Sequence, residues 1–239
     1  MMDVATLGLL SAIILAAAFI QGSVGVGFAL IVAPVLSLIK PELVPVTLLI
    51  IMLPLNFYVA ARERAALDKP GLGWITLGRT LGTFVGAAIL LIISARTLNI
   101  FVGLSTVLAA GLSLAAPSFK PGRKSLATAG LITGVTETAT GIGGPPLALV
   151  YQYHPGPVLR STLAACFLIG ELISLVVLAL GGRVTAELLT DSLLLIPAVV
   201  VGAGLSRLVH RRVGGKGLRA GVMIFAIAAG LFLLVREFF

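Results

Sequence analysis

Two apolar runs in this chain have the wrong length for any simple membrane crossing. Residues 5–39 and 125–153 each stay hydrophobic for longer than one span needs. As a straight helix the first would be about 50 Å long at 1.5 Å per residue. A bilayer core is about 30 Å thick, so the run is too long for one crossing and too short for two. Each run is also interrupted near its middle by a glycine-rich string: QGSVGVG at 21–27 and ETATGIGGPP at 137–146. Two half-length helices meeting at such a break make a re-entrant hairpin. Broken backbone at membrane depth survives only where protein or a polar cavity satisfies its N–H and C=O groups.

Six further apolar segments, at about 43–60, 72–93, 98–116, 157–180, 189–209 and 217–237, have ordinary spanning length. Only 11% of the 239 residues are charged and 59% are hydrophobic. A soluble domain carries about a quarter charged residues. Period-two alternation is missing, which argues against an outer-membrane barrel. The class is a polytopic α-helical membrane protein. The first segment has no basic leader before it and reads as mature protein, not a signal peptide. No loop is long enough to hold a soluble domain.

Loop charge decides between topologies. If both overlong runs cross fully, eight Lys and Arg residues fall on each side, with Arg79 left inside a helix. If both are re-entrant, one side holds Arg62, Arg64, Lys69, Lys120, Arg123, Lys124, Arg160, Arg207, Arg211, Arg212, Lys216 and Arg219. The other keeps Lys40, Arg96, Arg183 and Arg236. Twelve against four is a positive-inside pattern. It puts both termini on the periplasmic or exterior side. The net charge of +8 is thereby a loop property and no sign of nucleic-acid binding.

The halves resemble each other. GVGFAL (25–30) aligns with GIGGPP (141–146), which sets Gln21 opposite Glu137 and, with a one-residue slip, Asn56 opposite Glu171. LAAGLSL (108–114) matches IAAGLFL (227–233). A unit of one hairpin and three crossings has an odd number of crossings, so its second copy must be inverted. The expected fold is all-α, with two inverted repeats at 1–119 and 120–239. Each is a re-entrant broken-helix hairpin followed by three transmembrane helices.

The breaks are the place for chemistry. A helix N-terminus carries unpaired N–H groups and about half a positive charge. Two such ends meeting near mid-membrane make an anion site without a cation. The candidate substrate-binding residues are Gln21, Gly22, Ser23, Gly25 and Gly27 at the first break. At the second they are Thr138, Thr140, Gly141, Gly143, Gly144 and Pro145. Glu137 and Glu171 are intramembrane carboxylates, candidates for proton coupling or gating, and Asn56 stands with them. The competing readings are a carboxyl capping free N–H groups for Glu137, a neutral carboxyl bonded to a neighbouring helix for Glu171 and polar glue for Asn56. Arg79 lies two turns into its helix, where snorkelling to the interface explains it. Its functional reading, like that of Arg160, is anion steering at a mouth. Glycines 78, 82 and 86 are spaced for close helix approach. The lone Cys166 reads as a packing residue. No metal cluster, phosphate loop or dinucleotide fingerprint stands out, so no cofactor is expected.

QGSVGVGFALIVAPVL (21–36) and TGVTETATGIGGPPLALVY (133–151) resemble the paired glycine-rich signatures of the sulfite exporter TauE/SafE family. The first has Phe28 and Ala29 where the second has Gly144 and Pro145. The resemblance covers essentially the whole chain. It implies a bacterial inner-membrane transporter of sulfite, sulfoacetate or other organosulfonates, often an exporter. The partners expected are a small sulfur anion, protons, the bilayer and a second copy of the chain. A passive anion channel, and a non-transporting membrane sensor or enzyme, are the alternative classes.

Overall fold

The computed structural model describes residues 2–115, 121–209 and 216–238. Lys120, Arg211 and Arg212, part of the loop-charge pattern, lie outside them. Ten α-helices account for most of the described chain: α1 (Val4–Val24), α2 (Phe28–Ile39), α3 (Val46–Arg62), α4 (Lys69–Ile92), α5 (Ala95–Ala115), α6 (Arg123–Thr140), α7 (Gly144–Tyr151), α8 (Gly156–Leu180), α9 (Ala186–Val209) and α10 (Lys216–Phe238). Their outer faces are apolar: Leu77, Leu81 and Phe84 of α4, Val200 and Val201 of α9 and Ile224 and Phe232 of α10 are exposed. The polar side chains Gln21, Asn56, Thr83, Thr133, Glu137 and Glu171 are buried. A water-facing helix puts its polar residues outside. This inverse arrangement suits lipid, and the chain is a multi-pass membrane protein.

Among the described residues, α1, α4, α8, α9 and α10 are long and apolar enough to cross a membrane. The expectation of two half-length helices per hairpin needs correcting here. The breaks fall at 25–27 and 141–143, yet α1 has 21 residues and α6 has 18, against 12 in α2 and 8 in α7. Each hairpin has one long arm and one short arm. The long arm lies along a neighbour to which it is parallel. Ile75, Arg79 and Gly86 of α4 lie against Gly130, Gly134 and Val135 of α6 in that order. A Cβ on Gly78, Gly82 or Gly134 would strike the partner's backbone, so these glycines permit the contact. The α1–α9 seam is built likewise: Gly202 meets Leu15 and Ala18, and Gly22 meets Ser206.

Both hairpins return to the level at which they start. Arg123, opening α6, stacks over Trp74 near the start of α4. Tyr151, closing α7, donates its hydroxyl to Asp68 (2.7 Å), the residue that caps α4. In the first hairpin α1 runs parallel to α9 from near its start, and Lys40, just past α2, pairs with Asp191 in the second turn of α9 (3.5 Å). The main pairings also map onto each other when the first five helices are exchanged for the last five. Contact α4–α6 becomes α9–α1, α3–α9 becomes α8–α4 and α2–α10 becomes α7–α5, while α3–α8 and α5–α10 map onto themselves.

Candidate functional site

The two breaks share one backbone device and differ in their side chains. Helix α1 ends at Gly25, whose φ of 97° is left-handed, and α6 ends at Gly141 with φ 76°. A residue with Cβ is strained there. The Gly25 N–H donates to the Gln21 carbonyl and the Gly141 N–H to the Glu137 carbonyl, each at 2.7 Å. Gln21 and Glu137 therefore hold the same place in the two hairpins.

At the first break Gln21 caps the short arm. The Phe28 N–H, first in α2, donates to Gln21 Oε1 (3.0 Å). A backbone N–H can only donate, which orients every amide downstream. Gln21 Nε2 donates to Asn56 Oδ1 (3.1 Å), and Asn56 Nδ2 donates to Glu171 Oε1 (2.6 Å). A directed chain thus runs from the N-terminus of α2, through α1 and α3, to a carboxyl on α8. Glu171 Oε2 has no protein partner.

At the second break Glu137 does not cap. Gly144, first in α7, stands where Phe28 stands in α2, and prolines follow it at 145 and 146, but the carboxyl makes no bond to this turn. The carboxyl turns to α4 and forms an ion pair with Arg79 Nη2. Arg79 Nη1 donates to the Cys166 carbonyl (2.9 Å), and its guanidinium lies over the Phe167 ring at 5.7 Å. Arg79 is 1% exposed and Glu137 0%. Two glycines make room: a Cβ on Gly170 would fall on the guanidinium, and one on Gly143 would lie 2.8 Å from Glu137 Cδ. Gly170 adjoins Glu171, so α4, α6 and α8 bring one cation and two carboxyls into one cluster. Burying such a pair costs several kcal/mol of desolvation per ion and breaking it costs about 3–5 kcal/mol.

Between the short arms is a small void lined by Gln21, Gly27, Met52, Gly144, Pro145 and Phe167, with a volume of about 10 Å³. That is room for about one water. The N-termini of α2 and α7 both border it. Toward the basic-loop end, Arg62 Nη2 donates to the Gly22 carbonyl (2.9 Å), and Arg160 Nε reaches both Glu63 oxygens at 3.0 Å. Gly25 packs against Leu159 and Arg160 there. Toward the other end, Gly141 packs against Leu48, and Thr138 and Ser174 share a hydrogen bond of 2.8 Å.

The candidate residues divide accordingly. Gln21, Gly27, Gly144 and Pro145 line the void, while Asn56, Glu171 and Glu137 join the buried network beside it. Gly143 is bedding for Glu137, and Gly22 lies against Ser206. The hydroxyls of Ser23 and Thr140 donate to Phe19 and Thr136 carbonyls of their own helices. Arg79 is not at the interface: it lies between Gly78 and Gly82 on the packed α4–α6 seam, and its side chain turns inward to Glu137. Arg160 is held by Glu63. Ser174, Glu63 and Asp191 went unnoticed in the sequence. The Arg79–Glu137 pairing had a faint signal there, because the glycine stripes of α4 and α6 imply a register that sets Arg79 near Gly134.

Broken helices around a buried polar cluster, in a bundle with an apolar exterior, define a membrane protein of transporter type. The family model described as Sulfite exporter TauE/SafE matches residues 10–233. The chain belongs to the sulfite exporter TauE/SafE family, as its two glycine-rich motifs indicated. No curated protein and no solved structure matches it.

Proposed function

We propose that this protein is a secondary transporter carrying a small sulfur-containing anion, such as sulfite or an organosulfonate, across the bacterial inner membrane, in the export direction. The observation that carries this reading is the small void flanked by two short-arm N-termini in a chain that matches a sulfite exporter family over residues 10–233. Helix N-termini favour an anion. A void that holds about one water is too small for an oxyanion, so binding requires opening, which suits alternating access better than an open channel. Residues 1–119 and 120–239 are the two inverted repeats, and the paired helix contacts are the surfaces over which they rock. Glu137 and Glu171 face a single guanidinium, so one proton shared between them makes the cluster neutral. A further proton, taken up with the anion, is the coupling ion. The protein is not an enzyme in this reading.

Flux into proteoliposomes tests it. Sulfite or methanesulfonate should accumulate when a pH gradient is imposed and should show counterflow against preloaded anion. Flux without counterflow would replace the carrier by a channel. The proposed orientation has its own test. Cysteines placed at Lys40 and Arg183 should label from outside and one at Arg123 should not. The one native cysteine, Cys166, is buried and gives little background.

A further inference from the structure

The Glu137 carboxylate occupies the ground expected for a substrate. It lies against Gly143, within the break, one residue from Gly144 at the void, and it takes the Nη2 face of a buried arginine. We infer that Glu137 is a resident stand-in for the transported anion: the substrate oxyanion and the Glu137 carboxylate compete for the Arg79 guanidinium. A proton goes onto Glu137 as it is displaced. This rests on the transport reading and adds to it a binding residue and the origin of the coupling.

Arg79 is suited to the exchange. Its Nη1 stays on the Cys166 carbonyl and its guanidinium plane over the Phe167 ring, so the cation is held while Nη2 changes partner. Guanidinium binds carboxylate and other oxyanions by the same charge-assisted geometry, which makes one a fair mimic of the other. A displaced carboxylate cannot remain charged and unpaired at membrane depth without heavy cost. The groups facing Glu137 are few. Arg79 comes from α4, and Cys166 and Glu171 come from α8. The hydroxyl of Tyr151 on α7 is turned to Asp68. Glu171, already accepting from Asn56, is the nearest second carboxyl and holds the cluster's resident proton, which leaves Arg79 to Glu137 or to the substrate. Protonation of Glu137 removes one negative charge as the substrate brings another, so the charge of the site is conserved. The first hairpin lacks this device, because Gln21 is neutral and committed to Phe28.

Calorimetric titration of the purified full chain in nanodiscs tests the exchange. Methanesulfonate, sulfate and nitrate serve as probes, since their own charge is fixed between about pH 5.5 and 8. Comparing buffers of different ionisation heat gives the protons taken up per anion. The expected result is about one proton per anion and an affinity that falls about tenfold per pH unit, by linkage. Glu137→Gln should bind with no proton uptake and no pH slope, and its thermal stability should rise with added anion. Arg79→Gln/Glu137→Gln, neutral at both positions, should bind none. Binding to the wild type without proton uptake overturns the proposal, even if Glu137→Gln does not fold. So does an unchanged pH slope in Glu137→Gln, or full binding in the double variant. Proton-linked binding without flux in proteoliposomes would keep the exchange site and sink the transport reading. Flux without linkage would do the reverse. Nitrate bound as tightly as the sulfur anions would keep the site and end its sulfur selectivity. No binding of any probe would overturn both.

Discussion

The two hairpins have one backbone design and opposite chemistry. Both end a long arm on a left-handed glycine, and both lay that arm along a parallel helix through small residues. Yet Gln21 opens a chain of neutral amides, whereas Glu137 meets a cation. The neighbours differ to match. Gly82 packs on Leu131 and Gly202 on Leu15, which puts Val199 of α9 where α4 has Arg79. An acid and its base thus meet along one seam, α4–α6, and a neutral pair stands along the other, α1–α9. The comparison teaches that geometry alone does not make the charged site. At the α2 N-terminus the side chain caps the first N–H, and at the α7 N-terminus the equivalent carboxyl is taken by Arg79.

Removing the side chains tests that contrast most severely. Glu137→Ala leaves a buried guanidinium unpaired and should cost about 3–5 kcal/mol. Gln21→Ala leaves the Phe28 N–H and Asn56 Oδ1 unsatisfied and should cost about 1–3 kcal/mol. Denaturation in mixed micelles measures both, and equal losses would show that charge is not what separates the hairpins. The seams should behave alike. Gly82→Ala and Gly202→Ala each drive a Cβ onto a carbonyl oxygen, of Leu131 and Leu15, and should each lose about 1–3 kcal/mol. Gly73→Ala, with no heavy atom within 4 Å, is the control and should be neutral or slightly stabilising. A large difference between the seams would break the parallel drawn from the helix contacts.

Smaller effects are expected at the hairpin ends. Tyr151→Phe removes the hydrogen bond to Asp68 and should cost about 1 kcal/mol, read from thermal unfolding in detergent. Arg160→Gln loosens the clamp on the first break, since Glu63 keeps Arg62. Its stability should change by about 1 kcal/mol, because Glu63, although only 11% exposed, keeps Arg62 as a partner. A cysteine at Val26 should label faster from the basic-loop side in that variant, and an unchanged rate would remove Arg160 from any gating role.

Much of the fold was legible in the residues. The breaks at 25–27 and 141–143 fall inside the glycine-rich strings, because left-handed glycines and prolines act locally. The arms were not legible in their lengths. Hydropathy registers an apolar run without saying how far past mid-membrane a helix continues, and it could not tell 21 residues from 12. Of the site, Glu137, Glu171, Asn56 and Gln21 stood out as polar residues in apolar surroundings, whereas the use of Ser23 and Thr140 on their own helices did not.

Composition and punctuation by themselves determined a lipid-facing bundle, two interrupted helices and the family, since solvent preference and backbone freedom belong to short stretches of chain. Only tertiary structure decided which buried charges meet. Arg79 and Glu137 are 58 residues apart, and their pairing follows from the register of α4 on α6 and from the space left by Gly143 and Gly170. Gln21 caps Phe28 across a turn whose course no local preference dictates. Charge in a low-dielectric interior is tolerated only beside its partner, and the choice of partner rests on packing that no single segment contains.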